Sequence, residues 1–226
     1  RISESYDRLR KKPWKVFVQY VNREKILHRC GKNCVSLDIG CGNGRNMIYC
    51  VKNGIRCVGV DISSGLISVA KRNVLKEDFS RTSEFVIADA TALPFRDDVF
   101  DLSIMIAVIH HIPTFGERFK AAYEVFRILR YGKMAIISVW RLFQPRFIPQ
   151  VIINAIRKVF RKRKELGDVF VPWRTDGMTF KKYYHLFTKC EIKKLLSEVG
   201  FSEIKITKED VQRVKIPRNF FAIVVK

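Results

Sequence analysis

The run Asp38-Ile39-Gly40-Cys41-Gly42-Asn43-Gly44 directly follows the apolar stretch 35–37 and constrains the fold more than any other feature. Glycines at three alternate positions end a strand and mark a sharp passage into a helix. Lacking side chains, they admit positive φ and let backbone pass close to a ligand. A pyrophosphate-binding turn wants its third glycine one position later than Gly44, so this spacing describes a different loop. Taken alone, the run also fits a tight turn that binds nothing.

The pattern on either side places that turn in a repeating architecture. Val35–Ile39 reads as the first strand and Arg45–Lys52 as a helix closed by Gly54. Residues 57–61 read as a second strand, after which Ser63 caps a helix over 65–76. Strands at 85–88, 100–108 and 133–140 come next, with a helix over 117–129. The unbroken apolar character of 100–108 is that of a strand buried on both faces. Strand and helix alternating in this way predict an α/β fold, a doubly wound and mostly parallel sheet. Two short helices, 5–10 and 14–21, precede it. After residue 140 the rhythm breaks into an insertion rich in Arg, Lys and aromatics, with a helix over 148–163. It resumes with a helix at Lys189–Val199 and strands at 203–207 and 220–225. The expected organisation is one domain over 1–226: a helical extension (1–34), a cofactor-binding core (35–140), a basic aromatic lid (141–188), and a C-terminal helix with the last two strands (189–226).

Charge is the second constraint. The net value is +21, and it is unevenly placed. Residues 1–37 hold 10 Lys/Arg against 3 Asp/Glu, and residues 141–226 hold 20 against 8, whereas residues 38–101 hold 8 against 9. A polyanionic partner, most simply RNA, explains basicity confined to the flanks. The longest apolar run, 134–140, is too short to cross a bilayer, and no secretory signal is recognisable. The six cysteines form no paired framework. Cys30 and Cys34 lack a second pair for a zinc site, so reduced thiols in a cytoplasmic protein are expected.

An acid opening the Gly40, Gly42, Gly44 turn resembles the first motif of class I S-adenosylmethionine (SAM)-dependent methyltransferases. That resemblance implies a seven-stranded sheet with an antiparallel final strand, and SAM as cofactor. It assigns cofactor roles to Asp38, Gly40, Cys41, Gly42, Gly44, Asp61, Ile62, Asp89, Ala90 and Ala107. Asp61 ends the second strand, where an acid accepts hydrogen bonds from ribose hydroxyls. Asp89 comes after the third strand and can accept from the adenine amino group. Asp38 can orient the glycine loop, while Ala107 and Val108 line the wall near the sulfonium.

The residues after the fourth strand bear on the acceptor. No Asn/Asp-Pro-Pro-aromatic motif for exocyclic amines is present, and no Pro-Cys nucleophile stands at that strand's end. In its place is Ala107-Val108-Ile109-His110-His111. A histidine there can act as general base or position an acceptor oxygen. His111 is the site candidate, and His110 is expected to pack.

Arg10-Lys11-Lys12-Pro13-Trp14, the 107–111 run, Val139-Trp140, Val171-Pro172-Trp173 and Tyr183-Tyr184-His185-Leu186 together resemble the tRNA wobble-uridine carboxymethyl methyltransferase family. That family includes a yeast-type enzyme and a methyltransferase domain fused to an AlkB-type hydroxylase in animals. The resemblance implies methylation of the carboxylate of 5-carboxymethyluridine in the tRNA anticodon loop. A carboxylate with a pKa of about 4 is already ionised at neutral pH, so no strong base is needed. Arg10 and Lys12 then hold the carboxylate or a flanking phosphate, and Trp14, Trp140, Trp173 or Tyr184 stack the base. His111 and His185 act as positioning donors. The basic helix, with Arg157, Lys158, Arg161, Lys162, Arg163 and Lys164 clustered at its end, is a candidate track for the tRNA backbone, while its composition also suits a membrane-surface helix or a merely solvated face. The resemblance further implies a heterodimer with a small zinc-binding activator at the edge strand running from Phe85 to Ala88, no metal in this chain, and no membrane. Two other readings stand beside this one. A quinone- or sterol-type small-molecule methyltransferase leaves the charge asymmetry unexplained. A non-catalytic SAM- and RNA-binding protein sits poorly with intact Asp38, Asp61, Asp89 and His111.

Overall fold

The computed structural model describes residues 2–10, 12–31, 33–159, 165–175, 178–208 and 218–226. Three helices come first: α1 (Ile2–Leu9), α2 (Lys15–Arg23) and α3 (Ile26–Cys30). The alternating core consists of β1 (Val35–Ile39), α4 (Arg45–Lys52), β2 (Arg56–Asp61), α5 (Ser64–Lys76), β3 (Ser83–Ile87), β4 (Phe100–Ile106), α6 (Phe115–Ile128) and β5 (Leu129–Trp140). Beyond it lie α7 (Ile148–Val159), β6 (Asp168–Thr175), β7 (Met178–His185), α8 (Lys189–Val199), β8 (Glu203–Lys208) and β9 (Asn219–Val225).

Seven strands join in the order β3-β2-β1-β4-β5-β9-β8. The pairs β1–β2, β1–β4, β2–β3 and β4–β5 are parallel, and β9 runs antiparallel to both of its neighbours, β5 and β8. Every residue of β4 is buried, because both faces of the sheet are covered. Leu102 and Ile104 pack with Phe17 of α2 and Ile26 of α3, while Met105 packs with Val125 of α6 and Leu195 of α8. The strand order reverses between β1 and β4, and in a sheet of this kind a crevice opens at that point beyond the carboxyl ends of the strands.

Local chemistry fixes several boundaries. The Ser63 hydroxyl accepts from the Leu66 N–H at 3.3 Å and starts α5. Thr114 with Glu117, and Thr188 with Glu191, form reciprocal capping boxes that start α6 and α8. The first of these moves the start of α6 two residues ahead of its expected position.

The insertion contains an antiparallel hairpin of β6 and β7, with Phe170 opposite Tyr183 and Trp173 opposite Phe180. It also contains α7, whose polarity is inverted. Ile148, Ile152, Ile153 and Ile156 face solvent, while Asn154 is buried and donates to the carbonyls of Leu166 and Asp168 at 3.3 and 2.6 Å. The described face of α7 is therefore apolar. The side chains of Arg157 and Lys158, residues Arg161 to Lys164, and Lys11 all lie outside the described residues. No helix among the described residues is long and apolar enough to cross a membrane.

The expectation of reduced thiols fails at one pair: Cys30 and Cys34 are joined as a disulfide. Gly31, at φ 85°, turns the chain at the end of α3 and brings the two Cα atoms to 5.6 Å, inside the span a disulfide bridges. Cys41, Cys50 and Cys57 are free and buried, and Cys190 is free and exposed.

Candidate active site

Beyond the ends of β1, β2 and β4 lies a cavity of about 670 Å³. Gly40 and Gly42 form one wall at φ 67° and 58°. A Cβ on Gly40 would collide with the Val108 side chain, so only glycine leaves the wall intact. Asp61 ties this loop to the next one: its Oδ2 accepts from the Gly42 N–H and its Oδ1 from the Ser63 N–H, both at 2.9 Å. Burial nevertheless pushes its carboxyl up, against the pull of those two bonds. Asp89 is turned by its own short loop, Oδ1 accepting from both the N–H and the hydroxyl of Thr91 at 2.8 Å. Ile62 and Ala90 complete this side of the cavity.

Ala107, at the end of β4, carries a φ of 60°, a conformation that non-glycine residues seldom hold. Its N–H donates to the Ser138 hydroxyl at 2.9 Å, which anchors the strained turn beside the cavity. From the other side comes α1. Its Ser3 and Tyr6 line the cavity, and Asp7 accepts from the side-chain amides of Asn43 and Asn73 at 2.8 and 2.9 Å.

Three expected cofactor residues support the wall without lining it. Asp38 is buried, and burial together with the nearby Asp61 charge pushes its carboxyl up to about 7. Its Oδ2 has no hydrogen-bond partner. Cys41 is a buried packing group whose sulfur lies against Gly59, and burial pushes its thiol well up, away from thiolate chemistry. Gly44 caps α4 at φ 80°, packed on Ala70.

At the mouth, His111 and Lys182 reach the cavity together. Nδ1 of His111 lies 3.4 Å from the carbonyl oxygen of Tyr183. A carbonyl only accepts, so the proton of this pair sits on Nδ1 and leaves Nε2 a lone pair. One side of the ring is solvent-exposed, yet its close surroundings and the Lys182 charge hold it down to about 4. His111 thus lines the cavity as a neutral ring whose Nε2 is an acceptor. Beside it Trp173 of β6 is flanked by two cations: Lys182 Nζ lies 4.0 Å and Arg10 Cζ 5.2 Å from the ring centroid. Arg10 also stands 4.4 Å over the Tyr6 ring.

The remaining expected site residues are elsewhere. Trp140 stacks on Tyr184 at 4.2 Å and 9°, with Phe147 and Arg146 on its other contacts, and so holds the lid to β5. His110 is buried under it and accepts from the Trp140 N–H at 3.3 Å, as a packing histidine should. Trp14 packs on Phe221 in the core. Lys12 is exposed in the loop between α1 and α2. His185 faces away from the cavity because side chains alternate along β7, so Lys182 and Tyr184 point one way and Tyr183 and His185 the other. Its ring bridges Asp168 at 3.0 Å and Glu191 at 2.6 Å. Glu165, His185 and Glu191 bring one ligand atom each within 4.8 Å of one another, a grouping able to take a metal ion. The fully buried guanidinium of Arg118 already pairs with Glu165 there, which disfavours a further cation.

Nothing in the sequence points to Ser3 or Tyr6, which sit on a helix with no motif. Lys182 directly precedes the Tyr183-Tyr184 pair, and that adjacency is the one local signal for it.

A family model described as a methyltransferase domain matches residues 37–137. A Schizosaccharomyces pombe protein named tRNA (carboxymethyluridine(34)-5-O)-methyltransferase is 29% identical over 222 residues, covering 89% of this chain and 86% of the relative. Its namesake in Saccharomyces cerevisiae is 30% identical over 172 residues.

Over most of its length the chain is similar to this tRNA methyltransferase family.

The budding-yeast match covers 76% of this chain but only 53% of that relative. A SAM-dependent methyltransferase from Methanosarcina mazei, 23% identical, superimposes with a TM-score of 0.72 over 95% of this chain and 98% of that one. The fold is that of class I methyltransferases, the chain is a SAM-dependent enzyme, and SAM is its cofactor. The cavity fits this cofactor: a side-chain-free glycine wall, two carboxylates at successive strand ends, and the orphaned Asp38 oxygen that a cationic group would relieve.

Proposed function

We propose that this methyltransferase esterifies the carboxylate of 5-carboxymethyluridine at the wobble position of tRNA. The observation that carries the reading is the mouth of the cofactor cavity, where Lys182 and the neutral His111 meet a cation-flanked Trp173. Bound in the cavity, SAM supplies a sulfonium methyl group to a carboxylate oxygen, the S–CH3 electron pair staying on sulfur. No proton is transferred, which agrees with a histidine held neutral and a site without a strong base. The residues act by placement: Gly40 and Gly42 let the backbone approach the cofactor, Asp61 receives the ribose hydroxyls, Asp89 the adenine amino group, and Ala107 with Val108 form the floor. Trp173 offers a face on which the extruded base stacks. The uneven charge along the chain supports a tRNA acceptor over a small neutral one.

The proposal includes a small zinc-binding activator that extends the sheet at β3. In support, β3 is an edge strand, and Ile87 on it is 57% exposed. It also includes cytoplasmic action, supported by the tRNA acceptor.

Transfer of labelled methyl from SAM to tRNA lacking the wobble ester, with the activator present, tests the reading. Base-labile label supports a methyl ester. Alkali-stable label, or no label under conditions where SAM binds, refutes it.

A further inference from the structure

Arg10 and Lys182 are two like charges held near one aromatic ring. Burial pushes the Lys182 ammonium down from its ordinary value, and the Arg10 charge adds to the shift. Nη1 of Arg10 is buried with no hydrogen-bond partner. Neither residue makes an ion pair with a carboxylate among the described residues. Burying a cation without a counter-charge is unfavourable, and proteins avoid it unless a ligand supplies the missing anion.

We propose that Arg10 and Lys182, both set against the Trp173 ring, form an anion clamp that selects a carboxylate on the acceptor base. This rests on the carboxylate acceptor proposed above. The two cations come from distant parts of the chain, the end of α1 and the middle of β7, so the clamp is complete only when the lid hairpin and the N-terminal helix are both docked. Lys182 is the member that reaches the cofactor cavity, next to His111. One acceptor oxygen held by the clamp leaves the other free to face the cavity.

The arrangement also accounts for product release. Esterification removes the negative charge, and the clamp is left with two cations and a neutral ester beside them. A neutral amide at the same position meets the same penalty. Lys182 is therefore a specificity-determining residue for acid over amide, and the product ester is a weak ligand.

The same anion chemistry is offered by a tRNA phosphate, and the experiment separates the two sources. Three tRNAs identical except at the wobble base, carrying 5-carboxymethyluridine, its amide or plain uridine, are titrated against wild type, Lys182→Met and Lys182→Arg. A charge-assisted contact is worth roughly 10- to 100-fold in affinity. Wild type is expected to prefer the acid tRNA by that order, Lys182→Met to lose the preference while holding the amide and uridine tRNAs as before, and Lys182→Arg to keep most of it. An unchanged melting temperature in Lys182→Met shows that the fold is intact. Equal loss on all three tRNAs assigns Lys182 to a phosphate and overturns the clamp. So does an acid preference that survives Lys182→Met, or a wild type without one. Because these readouts are equilibrium binding, they stand apart from the ester assay, in which a wild type that forms no ester overturns the reaction itself.

Discussion

Nε2 of His185 lies 2.6 Å from Oε1 of Glu191 while Nδ1 of the same ring lies 3.0 Å from Asp168, so one imidazole joins the lid hairpin to the first turn of α8. Burial opposes charge on the ring, but the two carboxylates outweigh it and raise the imidazole above its ordinary 6.5. A histidine whose folded pKa is raised stabilises the fold fully below 6.5, and that contribution fades as pH climbs through the folded value. The melting temperature of wild type is therefore expected to fall on the alkaline side of 6.5 by more than that of His185→Gln. Parallel melting curves of the two proteins between pH 6 and 9 check it. A pH dependence identical in both would mean that the bridge adds nothing to stability.

His111 titrates in the opposite sense. Its pKa is lowered to about 4, so the folded protein binds fewer protons than the unfolded chain between there and 6.5, and this residue weakens the fold as pH falls through that window. Between pH 6 and 8 it stays neutral. The rate of methyl transfer is expected to show no ionisation of His111 in that range, and its imidazole signals in an NMR titration should not move until well below pH 6. An ionisation near 6.5 that disappears in His111→Gln would show that the ring takes up a proton during the reaction.

Two glycines at φ 67° and 80° separate backbone strain from ligand access. An Ala at Gly54 meets nothing within 4 Å and suffers only the left-handed conformation, which costs about 1–2 kcal/mol of stability. An Ala at Gly40 carries that same strain and also collides with Val108 on the cavity wall. Calorimetry is expected to show SAM affinity unchanged in Gly54→Ala and lowered at least about tenfold in Gly40→Ala, equivalent to about 1.4 kcal/mol. Equal affinities would mean that the glycine loop is not the cofactor wall.

The core is legible in sequence because its signals are local. Asp38 to Gly44, the caps at Gly54 and Ser63, and the all-apolar β4 each announce an element within a few residues of sequence. Asp61 and Asp89 then fall at strand ends by chain order alone. The lid is not legible, because its hairpin contains Pro172 and sets a pair of lysines beside a pair of tyrosines, a pattern that reads as irregular. The side of β7 that faces the cofactor depends on a pairing register that only tertiary packing sets, and a shift of one residue turns every side chain of the strand to the other face. That parity explains why sequence alone points to His185 in the site and passes over Lys182. Trp140 and Trp14 make packing contacts that sequence does not foretell: an aromatic beside a motif looks the same whether it stacks a base or closes a core.

The β3 edge offers a test that leaves the active site untouched. Ile87 is exposed on that strand, at the opposite end of the sheet order from β8 and on the outer side of β2. A lysine there puts a charge on an edge that a partner strand must approach, a device that blocks strand addition without disturbing the folded monomer. Ile87→Lys is expected to keep SAM binding and melting temperature within error of wild type. Its complex with the zinc-binding activator should weaken at least about tenfold, equivalent to about 1.4 kcal/mol. Co-purification and analytical ultracentrifugation of the pair measure this directly. An undiminished complex would move the activator to another surface, because a charge on a paired edge strand weakens the pairing.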